Sequence, residues 1–239
     1  MSILAIIPAR GGSKGIPNKN IACLAGQPLI SFSIKVALDS NCFCDVLVSS
    51  DSDEILKYSK SLSDQVICVK RPEEFSTDEA STLDAVKHAI DYYVATGKSA
   101  PDTVMLLQPT SPMRKIIDLK NACRIFYESD KKSLVSVSLP IQHPTDFVFK
   151  EGNSLKYCFA RNSSKELRRQ DFEEAWYING AIYISDTHFL LEKEAFYTMD
   201  ECELYLMPQE ASIDIDSPID LVVAEALMSS NKKINKEVK

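Results

Sequence analysis

No run in the 239-residue sequence approaches the roughly 18 consecutive apolar residues that a membrane-crossing helix needs, and no basic N-terminal stretch precedes a long apolar segment. The expectation is a soluble, cytoplasmic protein. Positive charge is not in excess: 27 Lys and Arg stand against 34 Asp and Glu, a net charge of −7. This argues against general nucleic-acid binding but leaves room for a local basic pocket that takes an anionic nucleotide. Paired Cys-x-x-Cys spacing is missing. The seven cysteines (Cys23, Cys42, Cys44, Cys68, Cys123, Cys158 and Cys202) are scattered and odd in number, and read as reduced, mostly core thiols rather than a disulfide framework or metal clip. There is no P-loop, because Gly12-Ser13-Lys14 reverses the required Gly-Lys-Ser/Thr order, and no Gly-x-Gly-x-x-Gly, so neither a kinase-type ATPase nor an NAD enzyme is indicated. Internal repeats are absent. Of the three histidines, His88 reads as a core helix residue and His188 as a surface one, and neither they nor His143 stands out as a general base.

What is present is an alternation of β-type and helical patterns. Residues 3–7, 45–49, 65–69, 103–107 and 134–138 read as strands, and 29–38, 53–62, 80–94 and 118–127 show helical periodicity. Apolar strands without alternation imply an α/β fold, a mostly parallel sheet with helices on both faces. Ligands of such sheets sit beyond the carboxyl ends of the strands, so the loops there are the place to look for function. Past residue 139 two short β-prone runs, Thr145 to Lys150 and Ser154 to Phe159, flank Glu151-Gly152-Asn153, a hairpin that has nothing of its own to pack on and would gain from a second subunit. The organisation expected is one domain over residues 1–228, an inserted hairpin arm at 140–170, a further strand at 212–216, a helix from about 218 to 228 and a polar, lysine-rich tail at 229–239.

The first strand delivers Pro8-Ala9-Arg10-Gly11-Gly12-Ser13-Lys14-Gly15-Ile16-Pro17-Asn18-Lys19-Asn20 to one edge of the sheet. Glycines let successive N–H groups converge, and Arg10, Lys14 and Lys19 surround them with cationic donors, which is chemistry for a polyphosphate. Near the other end of the chain, alternation along a strand would put Asp214 and Asp216 on one face. Two carboxylates aimed at one point suit Mg²⁺; equally, Asp216 could be the N-cap of a helix opening at Ser217-Pro218.

The loop at 9–20 resembles the opening signature of sugar-activating cytidylyltransferases, and the chain is similar to N-acylneuraminate cytidylyltransferases, which make CMP-sialic acid or CMP derivatives of related nonulosonic acids. The resemblance runs over about residues 3–228. It implies a Rossmann-like nucleotidyltransferase fold with a protruding dimerisation hairpin that reaches the partner's site, CTP as co-substrate, Mg²⁺ as cofactor and a nine-carbon 2-keto sugar acid as acceptor. Arg10, Ser13 and Lys19 match triphosphate-binding positions, with Lys14 a further phosphate contact and Asn20 a position at the nucleotide. Arg10, Lys19, Asp214 and Asp216 would carry the chemistry, the two aspartates as the metal pair. Arg71 and Ala80-Ser81-Thr82 match the segment around cytosine and ribose; read without the family, this is a strand-to-helix connection capped by Thr77 or Asp78. In Leu106-Leu107-Gln108-Pro109-Thr110-Ser111-Pro112-Met113-Arg114, Gln108 and Thr110 would hydrogen-bond the sugar acid, though a rigid double-proline turn explains the pattern too. Asn179-Gly180-Ala181-Ile182-Tyr183 also matches, with Tyr183 lining the sugar site, Phe196 near an aromatic that packs on the acyl group, and both equally suited to a plain core. Arg169 matches an arginine that binds the substrate carboxylate from the partner subunit, with Arg168 adjacent. Tyr177-Ile178 stands where some relatives have Arg-Pro, so the acceptor pocket is shaped differently. The alternatives are a CMP-KDO synthetase, whose loop and central motifs usually differ from these, and a non-catalytic nucleotide-binding module.

Overall fold

The computed structural model describes residues 2–13, 15–77, 79–158 and 173–237, with 231–237 described by backbone alone. Ile3–Pro8 (β1) is apolar at successive positions because both of its faces are covered: Ile3, Ala5 and Ile7 join one core cluster, Leu4 and Ile6 the other. A ribbon of Cys23–Leu24 (β2) and Gln27–Pro28 (β3) leads into helix Ile30–Ser40 (α1). Then come Asp45–Ser50 (β4), Asp53–Leu62 (α2), Val66–Lys70 (β5), Thr82–Ala95 (α3), Thr103–Leu106 (β6), Ile116–Glu128 (α4) and Ser133–Ser138 (β7). Val148–Glu151 (β8) and Ser154–Tyr157 (β9) precede Tyr177–Asp186 (β10), Thr187–Lys193 (α5), Cys202–Leu206 (β11) and Pro218–Glu237 (α6).

The main sheet has seven strands in the order β11-β7-β10-β6-β1-β4-β5. All neighbours are parallel except β10, which runs antiparallel to both β6 and β7. The cluster holding Ile3 and Ile7 takes Ile34 of α1, Ile55 of α2 and Leu119 of α4, whereas the one holding Leu4 and Ile6 takes Val86 and Ile90 of α3 and Leu190 of α5. A third, smaller cluster lies off the sheet: Ile16, Leu24, Leu29, Ile215 and Ala224. It ties the glycine-rich loop to the segment before α6, and so decides where that segment's aspartates lie.

Several expectations are corrected. Residues 212–216 form no strand; their backbone makes an isolated bond, Ile215 N–H to the Thr110 carbonyl at 2.8 Å, instead of a ladder. Their side chains alternate only over 214–216, with Ile215 buried between exposed Asp214 and Asp216; Ser212, which alternation would expose, is buried. Asp216 is not a helix cap, for Asp220 accepts the Ser217 N–H at 2.6 Å and the Asp216 N–H at 3.0 Å. Helix α6 continues past Met228 to Glu237, since neither Gly nor Pro interrupts it. Helix α3 starts at Thr82, and its N-cap is Ser81, whose Oγ accepts the Asp84 N–H at 3.1 Å, rather than Thr77 or Asp78. Of the free thiols only Cys123 is buried, while Cys23 and Cys44 are exposed, so they are not mostly core.

Among the described residues the hairpin β8–β9 pairs only with itself, and every residue of its two strands is exposed, Leu155 to 71%. Its strands are shorter than expected because Pro144–Asp146 forms a 3₁₀ turn; Phe159, at the expected end of the second strand, lies outside the described residues.

Candidate active site

Parallel β1, β4 and β5 and the neighbouring β6 end at the same edge, and the loops after β1, β5 and β6 line a cleft of about 300 Å³. Arg10, Ser13, Lys19 and Asn20 from the first of these loops, Arg71 and Ala80-Ser81-Thr82 from the second, and Gln108 and Thr110 from the third all line it. Three cations and no carboxylate stand among the described lining residues. The N-terminus of α3 opens onto the same space, adding its backbone N–H groups to the positive field.

Local bonds give the loop its shape. Asn20 is buried and donates its Nδ2 to the Arg10 carbonyl at 2.9 Å, so that part of its amide closes the loop. Asp51, which the sequence reading passed over, accepts the Gly11 N–H at 2.8 Å and lies 3.9 Å from the Arg71 guanidinium. A carboxylate directly after Ser49-Ser50 at the end of a central strand was the available signal. Arg71 is 6% exposed and its Nε meets no partner. Burial pulls its pKa below the ordinary arginine value; Asp51 opposes this and the Arg10 charge adds to it. Two guanidiniums that repel each other across a cleft are a site short of an anion. Arg10 reaches over the cleft to the Thr77 carbonyl at 3.5 Å.

The aspartates come to the cleft from the far end of the chain. Asp216 Oδ1 pairs with Lys19 Nζ at 2.8 Å, and Gly15 lies so close beneath that a Cβ there would stand 2.2 Å from the Asp216 carbonyl oxygen. Asp214 accepts a hydrogen bond from the Thr110 side chain. Asp214 keeps a solvent-exposed side, yet the protein crowded around its carboxyl desolvates it and pushes it above its usual range; Asp216 pushes the same way, while Thr110 and the Lys19 charge pull it back. Two carboxylates, one of them held at the expense of its own ionisation, beside an open cleft form an all-oxygen donor set that suits Mg²⁺, which commonly binds one or two carboxylates and fills its shell with water and phosphate. Among the described residues no group of three or more His, Cys, Asp or Glu forms a closed metal cage.

On the opposite side the bond pattern is different. The β7–β10 register shifts between Ile178 and Tyr183, and Gly180 at φ +73° lets the bulge turn. Asn179, 3% exposed, fills the gap: its Oδ1 accepts from the Ser136 hydroxyl at 2.5 Å and the Ala181 N–H at 3.1 Å, and its Nδ2 donates to Ser212 Oγ at 2.8 Å. The bulge is thereby fastened to the segment that carries Asp214 and Asp216. Gln108 Nε2 donates to the Gly180 carbonyl at 3.4 Å. Tyr183 and Phe196 are outside the cleft lining; their rings pack 5.7 Å apart, with Tyr197 6.3 Å from Tyr183. Lys14 and Arg169 lie outside the described residues.

Comparison with known proteins follows the same outline. A family model described as cytidylyltransferase matches residues 4–235. The chain is 37% identical to a CMP-N,N'-diacetyllegionaminic acid synthase of Legionella pneumophila, over 98% of the chain and 99% of that protein. Identity is 34% to a pseudaminic acid cytidylyltransferase of Campylobacter jejuni, over 97% and 98%. It is 35% to an N-acylneuraminate cytidylyltransferase of Streptococcus agalactiae serotype V, covering 93% of the chain; the chain spans about half (52%) of that relative's length. A solved structure of CMP:2-keto-3-deoxy-manno-octonic acid synthetase complexed with CTP superposes with a TM-score of 0.69 at 16% identity, covering 97% of the chain and all (100%) of that one, a likeness of fold.

Proposed function

The chain belongs to the cytidylyltransferase family, and from that premise we propose that it activates a nine-carbon 2-keto sugar acid, N-acetylneuraminate or a related nonulosonic acid such as legionaminate, with CTP, giving the CMP-sugar and pyrophosphate. The observation that carries the reading is that the cationic loop of Arg10 and Lys19 and the Gln108–Thr110 turn line one cleft, while the Asp214–Asp216 segment, just outside its lining, is tied to both through the Lys19–Asp216 pair and the Ile215–Thr110 bond. A triphosphate, an acceptor and a cation would meet there. The relatives' names support the acceptor class, for three different nonulosonic acids appear among them.

In this reading Arg10 offers a planar fork, Ser13 a short hydroxyl donor and Lys19 a point charge to the phosphates, fixed before the charge of the transition state develops. Arg71 and residues 80–82 hold the nucleoside, and Gln108 and Thr110 orient the acceptor hydroxyl toward the α-phosphorus. Asp214 and Asp216 would hold Mg²⁺, which when bound would supply charge neutralisation on the phosphates. Lys19 would exchange Asp216 for phosphate when the substrate arrives. The Tyr183–Phe196 pair would flank the sugar's acyl group. We further propose a homodimer joined through β8–β9, whose exposed Phe149 and Leu155 need cover. No helix among the described residues is long and apolar enough to cross a membrane; a cytoplasmic location for the reaction is a separate part of the proposal.

The test is pyrophosphate release from CTP and Mg²⁺ with a panel of N-acetylneuraminic, legionaminic, pseudaminic and KDO acids and a control without sugar. Release with one nine-carbon acid is expected. Silence throughout, with CTP bound, would point to a non-catalytic nucleotide-binding module. Turnover that survives alanine at both Asp214 and Asp216 would overturn the metal assignment.

A further inference from the structure

Arg114 is 5% exposed, and no part of the reading above uses it. It stands between β6 and α4, in the last position of the Gln-Pro-Thr-Ser-Pro-Met-Arg run. Burying a guanidinium is costly unless its donors are met. The donors it uses meet neutral oxygens: Nη1 gives to the Ala181 carbonyl at 2.6 Å, and Nη2 to the Gln108 carbonyl at 2.7 Å and to the Ser33 hydroxyl. Nε has no partner. The nearby carboxylate of Asp118 is occupied, Oδ2 by the Lys115 N–H at 2.7 Å and Oδ1 by the Tyr205 hydroxyl at 2.9 Å. Desolvation accordingly pulls the Arg114 pKa down to about 9, with Asp118 and then Asp214 opposing.

A cation kept at this expense, without a carboxylate in hydrogen bond to it, is retained for geometry. Its fork spans the carbonyl of Gln108 and the carbonyl of Ala181, one residue beyond the Gly180 carbonyl that receives Gln108 Nε2. Gln108 is thus clamped at both ends, its backbone by Arg114 and its side chain by the bulge. Ser33 of α1, itself fully buried, donates to the same Gln108 carbonyl at 3.3 Å and braces the clamp. We propose that Arg114 is a positioning residue for the acceptor side of the site: it sets the Gln108 amide and the Asn179-Gly180 bulge in one rigid unit, so that affinity for the sugar acid depends on it and affinity for CTP does not. None of its bonds reaches the residues 10–20 or 71–82 that line the nucleotide side.

This inference rests on the reading of the cleft as a cytidylyltransferase site. The experiment compares wild type, Arg114→Lys and Ser33→Ala with the acid that wild type accepts, measuring KM for each substrate, CTP affinity by calorimetry and the melting temperature. Arg114→Lys keeps the charge but loses the fork, and should raise KM for the acid about tenfold or more while CTP affinity stays within about twofold. Ser33→Ala removes one brace, should shift the same constant by about threefold, and serves if Arg114→Lys does not fold. Equal shifts for both substrates, or a lower melting temperature with KM for the acid unchanged, would overturn the positioning role alone. Wild-type protein that binds CTP but accepts no acid would overturn the functional reading and this inference with it.

Discussion

The two sides of the cleft hold their polar groups in opposite ways. On the nucleotide side Arg10, Lys19 and Arg71 all line the cleft as charged groups, and contacts between loops hold them there: Arg10 to the Thr77 carbonyl at 3.5 Å, Lys19 to Asp216 at 2.8 Å and Arg71 3.9 Å from Asp51. On the acceptor side Arg114, Asn179, Ser33 and Ser136 are buried and bonded to one another's neighbours, and little but the Gln108 and Thr110 side chains is left to face a ligand. A polyphosphate is recognised by charge, which tolerates side-chain movement. Sugar acids differ by acyl groups, hydroxyls and stereochemistry, and sites built to hydrogen-bond such groups discriminate only if the partners are fixed. The contrast is between a surface that attracts and one that measures.

Arg10→Ala should have the largest effect. It removes a phosphate donor from the cleft lining, so kcat/KM for pyrophosphate release should fall about a thousandfold. A change in acid KM alone would break the comparison. Asn179→Ala is its mirror image: stranding the Ser136, Ser212 and Ala181 partners should cost about 2 kcal/mol in urea unfolding and raise KM for the acid more than for CTP. Gly15→Ala sets a Cβ against the Asp216 backbone carbonyl, which cannot give cheaply, and should weaken CTP binding about tenfold in calorimetry while lowering the melting temperature, since Ile16 and Ile215 beside it share a buried cluster. The smallest effect is a control far from both sides. Asp102, which opens β6, is held below its ordinary value of 3.8 by the Ser2 N–H and hydroxyl. A depressed carboxylate contributes stability that is present above the unfolded value and lost as the pH falls through the folded one. Asp102→Asn should flatten the stability curve on that acid side and leave turnover at neutral pH alone.

Features set by neighbouring residues were legible. Continuous apolar runs gave β1, β4, β5, β6 and β7 to within a residue or so at each end, and Ser52 before Asp53 capped α2 as its type suggests. The glycine-rich loop was likewise recognisable, since glycine and clustered cations act through their nearest neighbours in the chain. Residues 212–216 show the limit: their alternation survived only over 214–216, and whether they pair as a strand depended on what lay beside them, which was one carbonyl of Thr110. Ser81 became the cap of α3 because the 71–80 connection runs farther than its turn residues indicated.

By itself the sequence determined β1, β4 to β7 and the helices between them, the phosphate-type loop and the family. Only the tertiary structure decided that Lys19 meets Asp216 across 197 residues, that Asp51 holds Gly11, and that Arg114 clamps Gln108 to Ala181. The reason is physical. Periodicity, caps and turns are settled by energies between neighbours in the chain, whereas a buried polar group is stable only beside the one partner that folding brings to it, and nothing local names that partner.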